Sequence, residues 1–302
     1  MQALSPPEDR LRTFKHAVRN KDFAISAEIF LHPETVADDL RAQADTLRDH
    51  VDAILLTDNQ YGQLHLSPVV AAGILLEHGV DAIVQLASRC RNRIALIGDL
   101  LGAGTIGVTS LLLVANERVP KGLDPKPKPV MDVSAIELIQ TANTIKFDEF
   151  LTVNPDFFVG GVVTPVVPET GWKAEKMREK IDAGAQFLQT RICMNVELLR
   201  RYCEFLVAEK IVQRTSLIGS VAVLRSVEDA HWLRDNRPNV KLTEEIIQRL
   251  ENADDAEAEG IRICAETIRA MSEIPGIDGV NIVAIGNLEA IPQAIEQSGV
   301  NA

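Results

Sequence analysis

Several short apolar stretches of this chain end in polar residues, and those ends are where chemistry could sit. The first stretch is Phe23-Ala24-Ile25-Ser26-Ala27-Glu28-Ile29-Phe30. It places one carboxylate, Glu28, among apolar neighbours. Burying such a group costs several kcal/mol unless it is paired, hydrogen-bonded or protonated. Glu28 therefore reads as an acid–base group or as half of a structural pair. Other candidates end the later stretches: Thr57-Asp58-Asn59, Gln85, Asn116-Glu117, Thr164, Gln189-Thr190-Arg191 and Asn287. Each has a plainer reading. Thr57, Asn59 and Asn287 suit helix caps or turns. Gln85 suits a satisfied amide. Glu117, followed by Arg118, suits a solvated loop pair. Arg191 could pair with Glu28 or with Glu117. His16, His50, His78 and His231 fall on predicted helices or their ends and read as surface residues. His32 and His65, in loops near strand ends, are weaker candidates.

The elements that must hold these residues alternate. Apolar runs predict strands at 23–30, 51–56, 81–86, 110–115, 157–163, 185–190, 215–220 and 279–284. Helical patterns separate them, at about 33–50, 67–78, 92–101, 132–145, 173–182 and 196–209, with 288–297 closing the chain. Ser67-Pro68 has a capping residue followed by proline at the first helical position, and Gly79 suits the end of that helix. Three helical segments, 227–234, 243–251 and 256–272, crowd between the last two strands. Residues 8–20 read as a surface helix leading into the first strand. The Pro/Lys-rich stretch 119–129 reads as a loop.

Eight such repeats predict a parallel sheet covered by helices, and their number and length fit an α/β fold of the (β/α)8 TIM-barrel class. It would be a single domain over 1–302, with an N-terminal helix in 1–20 and a helical extension in 221–275. A doubly wound open sheet is the alternative, but no Gly-x-Gly-x-x-Gly follows the first strand. In such barrels the chemistry gathers at the C-terminal ends of the strands, where the candidates above fall.

Composition narrows the partners. The chain has 302 residues, 46% hydrophobic, and a net charge of −12. No basic block marks a nucleic-acid or membrane surface. No apolar run reaches the length of about 18 residues needed to span a bilayer. Cys90, Cys193, Cys203 and Cys264 have no metal-type spacing and read as reduced thiols of a cytoplasmic protein. The N-terminus lacks a basic region followed by an apolar core, so no signal peptide is expected.

The residues also carry a resemblance. Ser26-Ala27-Glu28, then Leu56-Thr57-Asp58-Asn59 with Ser67-Pro68, resemble the first two strand regions of the methylenetetrahydrofolate reductase family. Gln85-Leu86, Arg91-Asn92-Arg93-Ile94-Ala95-Leu96 and Asp99-Leu100-Leu101-Gly102-Ala103 form the most specific match. Lys180-Ile181-Asp182-Ala183-Gly184-Ala185 before Gln189-Thr190, then Gly279-Val280-Asn281-Ile282 and Glu289-Ala290-Ile291-Pro292, extend it to the end of the chain.

The resemblance implies a flavin-dependent oxidoreductase of one-carbon metabolism. FAD would be its cofactor, NADH or NADPH its co-substrate, and 5,10-methylenetetrahydrofolate its folate substrate. Glu28 matches the family's general acid. Thr57, Gln85 and Lys180 match positions near the flavin or its phosphates, with Asn59, Asn116, Glu117 and Thr164 beside them. No metal is implied. Barrels of this family self-associate, although no sequence stripe here marks an interface.

The chain departs from the family at the chemistry. Asn116-Glu117 stands where the family has Gly-Asp, and Thr164-Pro165 where it has Asn-Pro. Arg191 stands where the family has a folate-binding Gln. An amide both donates and accepts, whereas a guanidinium only donates and is always charged. Arg191 would therefore suit an anionic group on the ligand, or would act electrically on Glu28, so it is grouped with Glu28 and Glu117 as catalytic candidates. A different substrate on the same scaffold, and a non-catalytic folate- or flavin-binding subunit, are the alternatives.

Overall fold

The computed structural model describes residues 13–300 except 116–118, 120–121, 148–154 and 238. Two candidates, Asn116 and Glu117, lie outside the described residues.

Eight parallel strands close on themselves in chain order: β1 (Ala24–Ile29), β2 (Ala53–Leu56), β3 (Ala82–Ala87), β4 (Ser110–Val114), β5 (Phe158–Val163), β6 (Phe187–Ile192), β7 (Ser216–Val223) and β8 (Gly279–Ala284). The pairing of β1 with β8 completes the ring, with Ser26 opposite Asn281. The protein is a (β/α)8 TIM barrel. Its helices are α1 (Phe14–Asn20), α2 (Ala37–Leu47), α3 (Pro68–Glu77), α4 (Arg93–Thr105), α5 (Ala135–Thr144), α6 (Glu175–Asp182), α7 (Val196–Ala208), α8 (Val227–Asn236), α9 (Glu244–Glu251), α10 (Ala256–Ser272) and α11 (Ala290–Ser298). None of these helices is long and apolar enough to cross a membrane.

Strand side chains alternate between faces, so each strand contributes to two cores. Outward residues such as Ile54, Val84 and Leu188 pack under the helices. Inward residues Ala24, Leu55, Ile83, Leu112, Phe158, Phe187 and Ile218 fill the barrel. The same alternation turns Glu28, Gln85, Gln189 and Ser220 inward, toward the C-terminal mouth. Gly160 makes the filling fit: a Cβ there would lie 2.1 Å from the Phe187 ring. That ring stacks on Phe158 at 4.9 Å between centroids.

Two elements differ from expectation. The predicted helix over 8–20 is described only from residue 13; there α1 keeps His16, Arg19 and Asn20 exposed but buries its other face. Phe14, Ala17 and Val18 of α1 are buried in the barrel's inner core, and Phe14 sits edge-on to Phe187 at 5.4 Å. A helix with so few apolar points reads as exposed, yet those of them in the described residues enter the lower end of the barrel. The seventh strand runs three residues beyond its predicted end, because Val221, Ala222 and Val223 continue the ladder with β8.

The three helices between β7 and β8 pack around that strand's end. In α10, Gly260 lies against the backbone of Leu224, where a Cβ would come within 1.6 Å of the carbonyl oxygen. The connection from α8 to α9 crosses to β6: Lys241 N–H donates to Ile192 O at 3.0 Å, and Met194 N–H donates to Lys241 O at 2.8 Å. This tie brings the connection over the barrel mouth.

Candidate functional site

A cavity of about 900 Å³ opens at the C-terminal mouth. Strands β1, β3, β5, β6 and β7 turn Glu28, Gln85, Val162, Gln189 and Ser220 into it, and Arg191 lines it as well. The α6 helix contributes Lys180, and Thr164 stands just past β5.

Glu28 is 6% exposed. Its charge is met by Arg237, whose Nη2 donates to Glu28 Oε1 at 2.5 Å. From the sequence, Arg191 could act on Glu28, pair with Glu117 or meet an anionic ligand group. Of these, the pairing with Glu28 is made instead, among the described residues, by Arg237 from the end of α8. One local signal marks that residue. Arg237 precedes Pro238, and a residue before proline is pushed out of the helical region. Its φ of −98° and ψ of 114° are extended, so the chain leaves α8 there. An arginine immediately before a proline, inside an insertion at the active end of a barrel, is the clue that the sequence held.

The pair extends into a row of amides. Arg237 Nη2 also lies 3.5 Å from Gln60 Oε1 as donor. Gln60 Nε2 in turn donates to Gln85 Oε1 at 3.2 Å. Across the cavity, Gln189 Oε1 and Ser220 Oγ are buried without a hydrogen-bond partner. Unpartnered buried polar atoms are costly, and at a cavity wall they mark places that a ligand or water can satisfy.

The α6 wall is basic. Lys180 donates from Nζ to Val162 O. Burial holds its pKa below the ordinary lysine value, and the nearby charges of Arg191 and Lys176 push it the same way. Crowded cations in a part-buried wall favour an anionic ligand group.

Thr57 and Asn59 are placed differently, since neither lines the cavity. Thr57 is fully buried, and its Oγ1 lies 3.3 Å from Ile29 O and 3.0 Å from His65 Nδ1. Asn59 adopts a left-handed φ of 49°, which Asn tolerates better than most residues, and accepts from His65 N–H at 3.1 Å. Both tie down the loop after β2. Their neighbour Asp58 is fully buried, accepts from Ala87 N–H at 2.7 Å, and is clamped by both terminal nitrogens of Arg91. His65 packs edge-on to Phe30 at 4.3 Å, and burial lowers its pKa. Asn287 donates to Glu257 and accepts from Glu289 N–H, as a turn residue does. The cavity thus gathers Glu28, Gln85, Thr164, Lys180 and Arg191 and leaves Thr57 and Asn59 beneath its rim.

Known proteins share this architecture. The family described as methylenetetrahydrofolate reductase matches residues 13–299. No curated protein matched. Among solved structures, an uncharacterized protein from Clostridium thermocellum that binds two copies of 5-methyl-5,6,7,8-tetrahydrofolic acid is similar, with a TM-score of 0.67 and 14% identity over 94% of this chain and 97% of that one. DmoA from Hyphomicrobium sulfonivorans is similar with a TM-score of 0.54 and 10% identity, covering 90% of this chain and 85% of that one. At these identities both similarities describe the fold.

Proposed function

The chain belongs to the methylenetetrahydrofolate reductase family, and on that premise we propose that it is a flavin-dependent oxidoreductase that reduces 5,10-methylenetetrahydrofolate with NADH or NADPH. The observation that carries this reading is Glu28. It stands on the first strand of a barrel matched almost end to end by the family, at the inner wall of a large cavity. A folate-binding relative of the same fold supports the substrate class.

The residues present fit a flavin nucleotide. About 900 Å³ lies toward the upper end of small-molecule pockets, roughly 300–1,000 Å³. Gln189 Oε1 and Ser220 Oγ offer unsatisfied atoms to a polar ring edge, and Lys180 with Lys176 offers positive charge to phosphates. When bound, the flavin would supply the hydride relay between nicotinamide and folate. The chain's own part is to bind and orient the two rings and to handle the proton. Glu28 would deliver the proton of its carboxyl form to the folate as the five-membered ring opens, and Arg237 would stabilise the carboxylate left behind.

The visible spectrum of the purified protein, followed by anaerobic mixing with NAD(P)H with and without methylenetetrahydrofolate, tests this. The expected result is a flavin band, or uptake of added FAD, bleached by NAD(P)H and restored by the folate. A protein that neither carries nor takes up flavin would overturn the reading.

One observation favours a second reading. Arg191 and the part-buried Lys180 line the same cavity, and after burial itself the charge of Arg191 helps to hold the Lys180 pKa down; such a pair suits a substrate with an anionic group near the reacting end. On that reading Arg191→Gln raises methylenetetrahydrofolate turnover. Unchanged turnover removes this role from Arg191.

A further inference from the structure

The row Glu28–Arg237–Gln60–Gln85 has a direction, and Arg237 sets it. A guanidinium donates and never accepts. Gln60 therefore turns its carbonyl toward Arg237, and its amino group falls on Gln85. Gln85 must answer with its own carbonyl, which turns its amino group away from Gln60. Both glutamines line the cavity. Among the described residues no hydrogen bond uses Gln85 Nε2 or the second carboxylate oxygen of Glu28. Opposite them, the buried Gln189 Oε1 is a third polar atom with no partner.

We infer that Arg237 is a positioning residue that fixes the donor–acceptor polarity of this wall, so that the bound ligand must offer an acceptor to Gln85 Nε2, beside a donor to Gln189 Oε1. Without Arg237 each amide of the row can flip, and the wall no longer distinguishes a carbonyl from an amino group. The matching ligand is a planar heterocycle with a ring carbonyl or ring nitrogen beside N–H groups. That ligand class rests on the functional reading above, whereas the polarity of the row does not.

The device also explains why Arg237 reaches in from an insertion. Among the described residues, the β1, β2 and β3 ends give the cavity lining only groups that accept or that can do both: the carboxylate of Glu28 and the amides of Gln60 and Gln85. A donor-only group has to come from elsewhere. The α8–α9 connection, tied to β6 through Lys241, delivers it.

Solvent exchange of the glutamine side-chain amide protons, measured by NMR on the 15N-labelled ligand-free protein, tests the polarity. The Gln60 and Gln85 signals are assigned with Gln60→Ala and Gln85→Ala. The Gln60 amide should exchange about tenfold more slowly than that of Gln85, the effect of about one hydrogen bond. Arg237→Met should abolish the difference and Arg237→Lys should restore it. Equal exchange in the native protein, or a difference that survives in Arg237→Met, overturns the inference.

A second variant covers the case in which Arg237→Met does not fold. Gln60→Glu accepts from Arg237 but cannot donate, so Gln85 turns its amino group toward residue 60 and its carbonyl toward the cavity. Titration with 5-methyltetrahydrofolate should show binding weakened about tenfold or more relative to the native protein. Equal binding by the two overturns the inference. If the native protein shows the slow Gln60 amide but binds neither 5-methyltetrahydrofolate nor FAD, the polarity stands and the functional reading falls.

Discussion

At the scale of residues, the energetic centre of the site is a charged pair with little access to water. The side chains of Arg237 and Glu28 are 15% and 4% exposed. Removing one member of such a pair leaves the other desolvated and uncompensated, which costs about 3–5 kcal/mol. Replacing both by apolar groups costs much less. Glu28→Ala should therefore lower stability by about 3–5 kcal/mol in urea unfolding at pH 7. Glu28→Met combined with Arg237→Met should recover most of that loss while leaving the protein inactive. A double variant as unstable as the two single losses added together would show that the groups do not act as a pair. The same cycle separates folding from chemistry, because it restores the first without the second.

At the scale of elements, the helical insertion between β7 and β8 matters because it carries Arg237 over the mouth. Its seat depends on a close approach. Gly260 in α10 leaves no room for a Cβ beside the Leu224 carbonyl. In an open helix Gly→Ala gains about 1 kcal/mol of helix propensity. Here overpacking should reverse the sign, for a net loss of about 1–3 kcal/mol, read as a lower midpoint in thermal unfolding. A stabilised Gly260→Ala protein would show that α10 can move off the strand freely. The insertion was legible as three helices, and in the structure the Thr243 and Asp255 side chains cap α9 and α10. That it crosses to β6 was not legible, because the tie is made by backbone groups of Lys241, Ile192 and Met194, which every residue carries.

At the scale of the whole molecule, several protonated groups are locked inside, and they limit alkaline tolerance. Burial pushes the Cys193 thiol up to about 11 and the Cys203 thiol up to about 12, from an ordinary 9.0. It pushes Tyr202 and Cys264 up as well. For each, the folded state holds its proton more tightly than the unfolded chain does. Above pH 9 the unfolded thiol ionises first, so stability is full below that pH and falls as pH rises toward the folded value. Cys193 alone should remove about 3 kcal/mol between pH 9 and 11. Urea unfolding across pH 8–11 should show the loss, and Cys193→Ser with Cys203→Ser should reduce it, leaving the part that comes from Cys264 and Tyr202. A flat profile in the native protein would contradict these buried thiols.

Much of this molecule was already determined by the sequence. The period-2 alternation of each apolar run decides which side chains turn into the barrel, so Glu28, Gln85 and Gln189 could be assigned to the mouth once eight strands were recognised. The family could be read as well, from motifs whose order survives in the chain. Tertiary structure alone decided three things. It set the apolar face of α1 against the inner core at the lower end of the barrel, since an amphipathic helix does not state what its apolar face will meet. It withdrew Thr57 and Asn59 from the cavity into the loop beneath, because both suit a turn as well as a site. It also chose Arg237, 209 residues away, as the partner of Glu28. A strand's alternation is a local property that a sequence displays directly. A charge pair depends on where two distant segments end, and only closure of the barrel brings them together.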